Sequence, residues 1–183
     1  MRLHALFVSA VLVAVTGCAA SPTAQLEANK EVVRQFTAAL NAADWKALAD
    51  IVDEDFTRHS QATGELHVNS RDQFIDLQGS FLVSFPDQQV RIQKLVAEGD
   101  EVAGLATYTG THEGPMGEFP ATGRSVESTF LSLFRIEAGQ ITELWVEWDN
   151  VAMLTQLGLF PPPTPSGGVI PHSRRTTLQS PLS

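Results

Sequence analysis

Apolar residues recur at helical spacing in the first half of the chain. One face of the first such segment carries Val32, Val33, Phe36, Ala39 and Leu40. This spacing predicts an amphipathic helix over roughly 26–42. A second, short helix is predicted after Asp44, whose side chain can cap a helix N-terminus. Ser70-Arg-Asp-Gln73 has the capping-box form and opens a third helix through about Ser84, with Phe81 on its apolar side.

Strand patterns replace helical ones after this third helix. Apolar and β-branched residues predict four strands, over about 88–98, 102–113, 124–137 and 140–149. A break in the alternation at Lys94-Leu-Val96 predicts a bulge, and a short helix is predicted over 150–157. Helices followed by a run of antiparallel strands predict an α+β domain, with the helices packed on one face of a curved sheet. Such a sheet forms a cone whose open end suits a small-molecule pocket.

The two ends of the chain differ in composition from its middle. A basic start, a short apolar stretch and then Cys18 are the layout of a secretory signal. Val15-Thr-Gly-Cys18 resembles the bacterial lipobox, so we expect lipidation of Cys18 and a lipid-anchored protein of the bacterial cell envelope, at the periplasmic face of the outer membrane or the outer face of the cell membrane. An ordinary secretory signal with an incidental cysteine is the alternative. The predicted parts are a signal peptide (1–18), a tether (19–25), one domain (26–160) and a Pro-rich disordered tail (161–183).

The charge and the histidine spacing exclude some classes of function. With 12 Lys and Arg against 21 Asp and Glu, the net charge is −9, which argues against nucleic-acid binding. Because Cys18 is the only cysteine, the mature chain can form no internal disulfide. His59, His67 and His112 are not spaced as metal ligands on one helix, so we expect no metal site.

A carboxylate ends the last predicted strand. If Asp149 faces inward beside tryptophan it is poorly solvated, which suits a general acid/base. The alternative is that Asp149 caps the short helix that follows. In strict alternation Trp145 and Asp149 share a face and Trp148 points the other way, so Trp145 is the predicted pocket neighbour. Phe130 and Phe134 can supply further apolar walls.

Several short motifs occur along the chain in an order typical of one family. They are Gly99-Asp-Glu-Val102, Tyr108-Thr-Gly-Thr-His112-Glu-Gly114, Phe119-Pro-Ala-Thr-Gly-Arg124, Phe134-Arg-Ile136, Ile141-Thr-Glu-Leu-Trp145, Asp149 and Gln156-Leu-Gly158. Over most of residues 27–160 the sequence resembles the SnoaL-like polyketide cyclases, also called ester cyclases, of the NTF2-like superfamily. The resemblance implies an NTF2-like cone, in which N-terminal helices pack in the concave face of a curved mixed, mostly antiparallel sheet. It also implies a cofactor-independent, aldol-type cyclisation or isomerisation of a small hydrophobic carbonyl compound. It also implies a homodimer formed through the outer sheet face.

The resemblance also implies roles for individual residues. Asp149 occupies the place of the family's acid/base, and His112 that of a histidine that positions or polarises the substrate. His59 matches a further family histidine and is expected in the substrate site. Many relatives carry an arginine where this chain has Leu105, which weakens the expectation of an anionic substituent on the substrate. The alternative function is a non-catalytic module that binds a hydrophobic small molecule or a partner protein. The predicted substrate-binding residues are His59, Phe81, Phe130, Phe134 and Trp145.

Overall fold

The computed structural model describes residues 21–63 and 66–160 and has the predicted α+β organisation. Its elements are α1 (Pro22–Ala42), α2 (Trp45–Ile51), β1 (Val52–His59), α3 (Arg71–Ser84), β2 (Gln89–Glu98), β3 (Glu101–Thr111), β4 (Ser125–Glu137), β5 (Gln140–Trp148) and α4 (Asn150–Leu157). Cys18 and the tail over 161–183 lie outside the described residues, so the lipid anchor and the disordered tail stay predictions. No described helix is both long and apolar enough to cross a membrane.

The strands form a mixed sheet in the order β1-β5-β4-β3-β2. The β1–β5 pair is parallel, and the other neighbours pair antiparallel, which confirms a mixed, mostly antiparallel sheet. The sequence patterns did not predict β1, which follows α2 without a loop. Its register against β5 shifts between Val52 and Thr57, and this irregularity hides the alternation expected of a strand. The register of β2 shifts between Ile92 and Lys94, beside the predicted bulge.

Side-chain caps set where the helices begin. Asp44 Oδ1 accepts a hydrogen bond from the Ala47 amide at 3.0 Å, and Ser70 Oγ accepts one from the Gln73 amide at 3.3 Å, as predicted. Ser21 Oγ caps α1 in the same way through the Ala24 amide at 3.2 Å. The prediction of a tether over residues 19–25 is therefore wrong from Pro22 onward, because Pro suits the first turn of a helix.

The core lies between the helices and one face of the sheet. At its centre Phe74 of α3 packs against Phe36 of α1 and Phe56 of β1, with ring centroids 5.8 and 4.9 Å apart. The Asn41 side chain at the end of α1 donates to and accepts from the Val90 backbone, both at 2.8 Å. These contacts hold α1 and α3 against the sheet but do not fill the space beneath them.

Candidate functional site

The space between α1, α3, α4 and the sheet is a cavity of about 700 Å³. This volume is within the range of small-molecule sites, and the walls are mostly apolar. The sheet contributes Gly104, Ala106, Tyr108, Ser128, Phe130, Ser132, Phe134, Leu144, Val146 and Trp148. The helices contribute, among others, Phe36, Leu40, Phe74, Leu77, Phe81, Met153 and Leu154. The predicted site residues Phe81, Phe130 and Phe134 are therefore cavity-lining side chains, and their contact with a substrate stays a prediction.

Alternation along β5 decides which tryptophan faces the cavity. Leu144, Val146 and Trp148 line it, whereas Trp145 lies on the opposite face of the sheet. Trp145 there stacks on His59, with ring centroids 4.7 Å apart, and His59 Nε2 lies 2.9 Å from the Glu143 carboxylate. The prediction that Trp145 and His59 lie in the pocket is wrong. The sequence placed Trp145 and Trp148 on opposite faces, as observed, but assigned the pocket to the wrong one.

Asp149 caps α4. Its side chain is exposed, and Oδ1 accepts a hydrogen bond from the Ala152 amide at 2.9 Å. The neighbours Trp148 and Asn150 line the cavity, but Asp149 does not. The expectation of a desolvated, inward-facing carboxylate is therefore wrong, and the capping alternative describes what the structure shows. The catalytic role implied by the resemblance has no geometric support.

Capping at Asp149 predicts a difference between two substitutions. Asp149→Ala removes the acceptor for the Ala152 amide and is expected to lower the free energy of unfolding by about 1 kcal/mol. Asp149→Asn keeps an acceptor oxygen, and its free energy of unfolding is expected to stay within about 0.5 kcal/mol of the original, since Asn caps helices as well as Asp. Urea denaturation of both variants measures this difference. Equal stability of Asp149→Ala and the original chain would contradict the cap.

His112 is buried beside the cavity rather than in its lining. Its side chain is 0% exposed, and its ring stacks on that of Phe85, a lining residue, with centroids 5.2 Å apart. Nδ1 lies 3.1 Å from Thr122 Oγ1, whereas Nε2 has no hydrogen-bond partner among the described residues. Burial lowers the pKa of His112, because a charged imidazole would be desolvated there. The neutral ring therefore packs behind Phe85, and the structure does not bring His112 and Asp149 together in the cavity.

Arg58 of β1 is the only charged side chain in the described part of the cavity lining. It is 6% exposed, its Nη1 donates to Thr63 Oγ1 at 3.0 Å, and its guanidinium lies 5.8 Å from the centre of the Trp148 ring. Burial lowers the pKa of Arg58, and the negative charge of Glu147 opposes this effect. The sequence patterns missed this residue because β1 was not predicted. Once β1 is recognised, the spacing from Phe56 puts Arg58 on the inner face.

Most other polar groups in the lining are bonded within the protein. The Tyr108 hydroxyl donates to Gln88 Oε1 at 3.2 Å, and burial raises the pKa of Tyr108. Ser84 Oγ donates to the Pro115 carbonyl at 2.6 Å. No aspartate, glutamate or histidine lines the described part of the cavity, and no cluster of His, Cys, Asp and Glu that could hold a metal ion occurs among residues 21–63 and 66–160. The cavity can hold an apolar molecule, with Arg58 as the one charged contact that its described lining offers.

Sequence and fold comparisons agree with this architecture. Residues 30–157 match the SnoaL-like polyketide cyclase family model. The chain belongs to this family. The SnoaL-like chain is 31% identical to IdmH, a candidate polyketide cyclase from Streptomyces antibioticus, over 71% of its own length and 98% of IdmH, with a TM-score of 0.63. It is 26% identical to AclR, a candidate hydroxylase from Streptomyces galilaeus, over 74% of its own length and 99% of AclR, with a TM-score of 0.65.

A third structure fixes the fold class. That structure is of a protein from Catenulispora acidiphila DSM 44928 with a ketosteroid isomerase-like fold, in complex with trimethylamine. It is 23% identical over 70% of the SnoaL-like chain and 92% of its own length, with a TM-score of 0.60, and therefore shows the fold alone. The NTF2-like α+β fold predicted for the chain is confirmed. No curated protein matches the sequence.

Proposed function

We propose that this SnoaL-like domain binds a small, hydrophobic carbonyl compound in the cavity, as the first step of a cyclase- or isomerase-type reaction. The observation that supports this most is the apolar cavity of about 700 Å³, enclosed by α1, α3, α4 and the sheet. Burial of apolar ligand surface contributes about 25 cal/mol per Å², so two fused rings supply most of the binding free energy without any polar contact. The family membership supports the reaction class.

The cavity supports binding more strongly than it supports proton transfer. Aldol-type closure needs a base near the carbon beside the carbonyl and a donor for the developing oxyanion. Arg58 can supply the donor, whereas no carboxylate or imidazole lines the described part of the cavity. Catalysis by Asp149 with assistance from His112 remains in the proposal on the family resemblance alone. A non-catalytic binding module is the second candidate function, and it is favoured because no carboxylate or imidazole lies in the described part of the lining.

We also propose that the protein is anchored in the cell envelope and forms a homodimer. The lipobox pattern around Cys18 supports a lipid anchor in the cell envelope. A homodimer through the outer sheet face is supported by two exposed apolar side chains on that face, Leu131 at 63% and Val96 at 53% exposed. Sedimentation of the purified chain tests the dimer, and a purely monomeric species would contradict it.

Direct titration tests the proposed binding. Isothermal titration of the purified chain with 2-acetonaphthone, a two-ring ketone, is expected to show saturable binding with a Kd of roughly 10–100 µM. Repeating it at several temperatures is expected to give a negative heat-capacity change, because apolar surface leaves water on binding. A Kd of 1 mM corresponds to a binding free energy of about −4 kcal/mol. If the ketone shows no saturable binding up to about 1 mM, the proposal is contradicted.

A further inference from the structure

Arg58 is a buried cation with few partners among the residues that the structure describes. Within the described residues its side chain makes one hydrogen bond, to Thr63 Oγ1, although a guanidinium carries five N–H donors. None of the described carboxylates lies within ion-pair distance of it. Burial of a charge is unfavourable unless it is paired and hydrogen-bonded. The structure thus leaves most of the donor capacity of Arg58 for something in the cavity.

Glu147, whose negative charge acts on Arg58, is already hydrogen-bonded elsewhere. The two carboxylate oxygens of Glu147 accept hydrogen bonds from the Gln61 amide at 2.6 Å and the Ala62 amide at 3.1 Å. Glu147 is exposed and lies on the outer face of β5, one residue before Trp148. It therefore moderates the charge of Arg58 from a distance without neutralising it in the cavity.

We propose that the cavity selects a ligand with a carboxylate group, bound by the Arg58 guanidinium while the apolar body of the ligand packs against Trp148. This inference rests on the proposed function and adds the chemical class of the ligand. A guanidinium fork matches the two oxygens of a carboxylate, and such charge-assisted pairs are about twice as strong as neutral hydrogen bonds. The sequence has Leu105 where many relatives carry an arginine, which argued against an anionic ligand. Arg58 supplies a positive charge to the cavity from a different strand, β1.

The surroundings of Arg58 favour a ligand anion over a free inorganic one. The guanidinium lies over the Trp148 ring, and most of the remaining lining is apolar, including Phe74 and Leu144. An anion without an apolar body would leave those walls in contact with water. An amphipathic carboxylate satisfies both parts of the site.

Two probes of nearly the same shape distinguish recognition of a carboxylate from recognition of a neutral carbonyl group. 2-Naphthoate is ionised at pH 7, whereas 2-acetonaphthone is a neutral ketone with the same ring system. We expect 2-naphthoate to bind the original chain about tenfold more tightly, which corresponds to about 1.4 kcal/mol, because hydrogen bonds to charged groups are stronger than neutral ones. Binding of the ketone without tighter binding of 2-naphthoate would overturn this inference and leave the proposed function intact. Failure of both probes to bind would overturn the proposed function itself.

Substitutions of Arg58 assign the preference to this residue. Arg58→Met is expected to weaken 2-naphthoate binding by at least tenfold and to change ketone binding by less than about threefold. Arg58→Lys keeps the charge without the fork and is expected to bind 2-naphthoate with intermediate affinity. Arg91→Met removes an exposed arginine from β2 as a matched control and is expected to change neither affinity. An Arg58→Met chain that keeps the preference for 2-naphthoate would overturn the inference.

Thermal unfolding separates a binding role from a structural one. Burial of a charge that forms no ion pair with a described residue is unfavourable, so its replacement by an apolar side chain of similar length is expected to be neutral or stabilising. We therefore expect ligand-free Arg58→Met to melt at the same temperature as the original chain or higher, and 2-naphthoate to raise the melting temperature of the original chain more than that of Arg58→Met. If Arg58→Met melts lower, and Arg58→Lys binds both probes as the original chain does, the role of Arg58 is structural and the inference fails.

Discussion

Replacing Trp148 with alanine is expected to weaken 2-acetonaphthone binding by about tenfold or more. Trp148 lines the cavity beside Val146, and its ring forms much of the wall at the end of β5. An aromatic side chain of this size buries about 150–250 Å² against a partner, so its loss removes at least 1.4 kcal/mol of contact, about a factor of ten in affinity. Isothermal titration of the variant measures this effect. Trp148→Phe keeps an aromatic wall and is expected to bind within about threefold of the original.

Trp145 provides the matched control on the same strand. It lies on the outer face, where it stacks on His59 and lies under the Arg135 guanidinium at 5.2 Å. Trp145→Ala is therefore expected to leave the affinity for the ketone within about twofold, which is less than about 0.5 kcal/mol. The opposite result, with binding lost in Trp145→Ala and kept in Trp148→Ala, would contradict the assignment of the inner face.

Replacing Gly114 with alanine is expected to lower the free energy of unfolding by about 3 kcal/mol. A Cβ atom there would lie 2.0 Å from the Val83 carbonyl oxygen and 2.9 Å from its carbon, and both are backbone atoms that cannot rotate away. The Gly114 and Glu113 amides both donate to the Ser84 carbonyl, at 3.2 and 3.0 Å, and hold the end of α3. Because Val83 and Ser84 line the cavity, ketone binding is expected to weaken as well. Urea denaturation measures the loss.

Gly79 of α3 is the matched control for this substitution. A Cβ atom there would meet nothing within 4 Å. Alanine is favoured over glycine inside a helix by about 0.5–1 kcal/mol, so Gly79→Ala is expected to raise the free energy of unfolding. Equal stability of the two variants would show that the close approach at Gly114 is not a constraint on the fold.

The fold could be predicted from sequence because the strongest signals are local. Asp44 and Ser70 mark helix starts that the structure confirms, since a cap needs only a side chain and the next turn of the helix. β1 was not predicted because it pairs with β5, which is distant in the sequence, and because the register of this pairing shifts after Val52. The family motifs Phe134-Arg-Ile136 and Ile141-Thr-Glu-Leu-Trp145 lie on β4 and β5, and the motif that begins at Tyr108 starts on β3. The alternation of apolar residues predicted these three strands with bounds close to those observed.

The site was harder to predict because a pattern with period two does not say which face of a strand is the inner one. The sequence separated Trp145 from Trp148 correctly, yet the choice between them depends on which face the helices cover. Asp149 shows the same limit, since a residue after a strand can turn inward or cap the next helix, and here it caps. Arg58 could be recognised only after β1 was known, because its burial results from packing against Trp148 across the sheet.

The location of a bound ketone tests the central claim most directly. Nuclear Overhauser effects between the ring protons of 2-acetonaphthone and methyl-labelled protein report which face of the sheet it touches. If the ketone binds in the cavity, we expect contacts with the methyl groups of Leu144 and Val146, which line it. Contacts with Leu131 and Leu133 instead would place the ketone on the outer face and contradict the account.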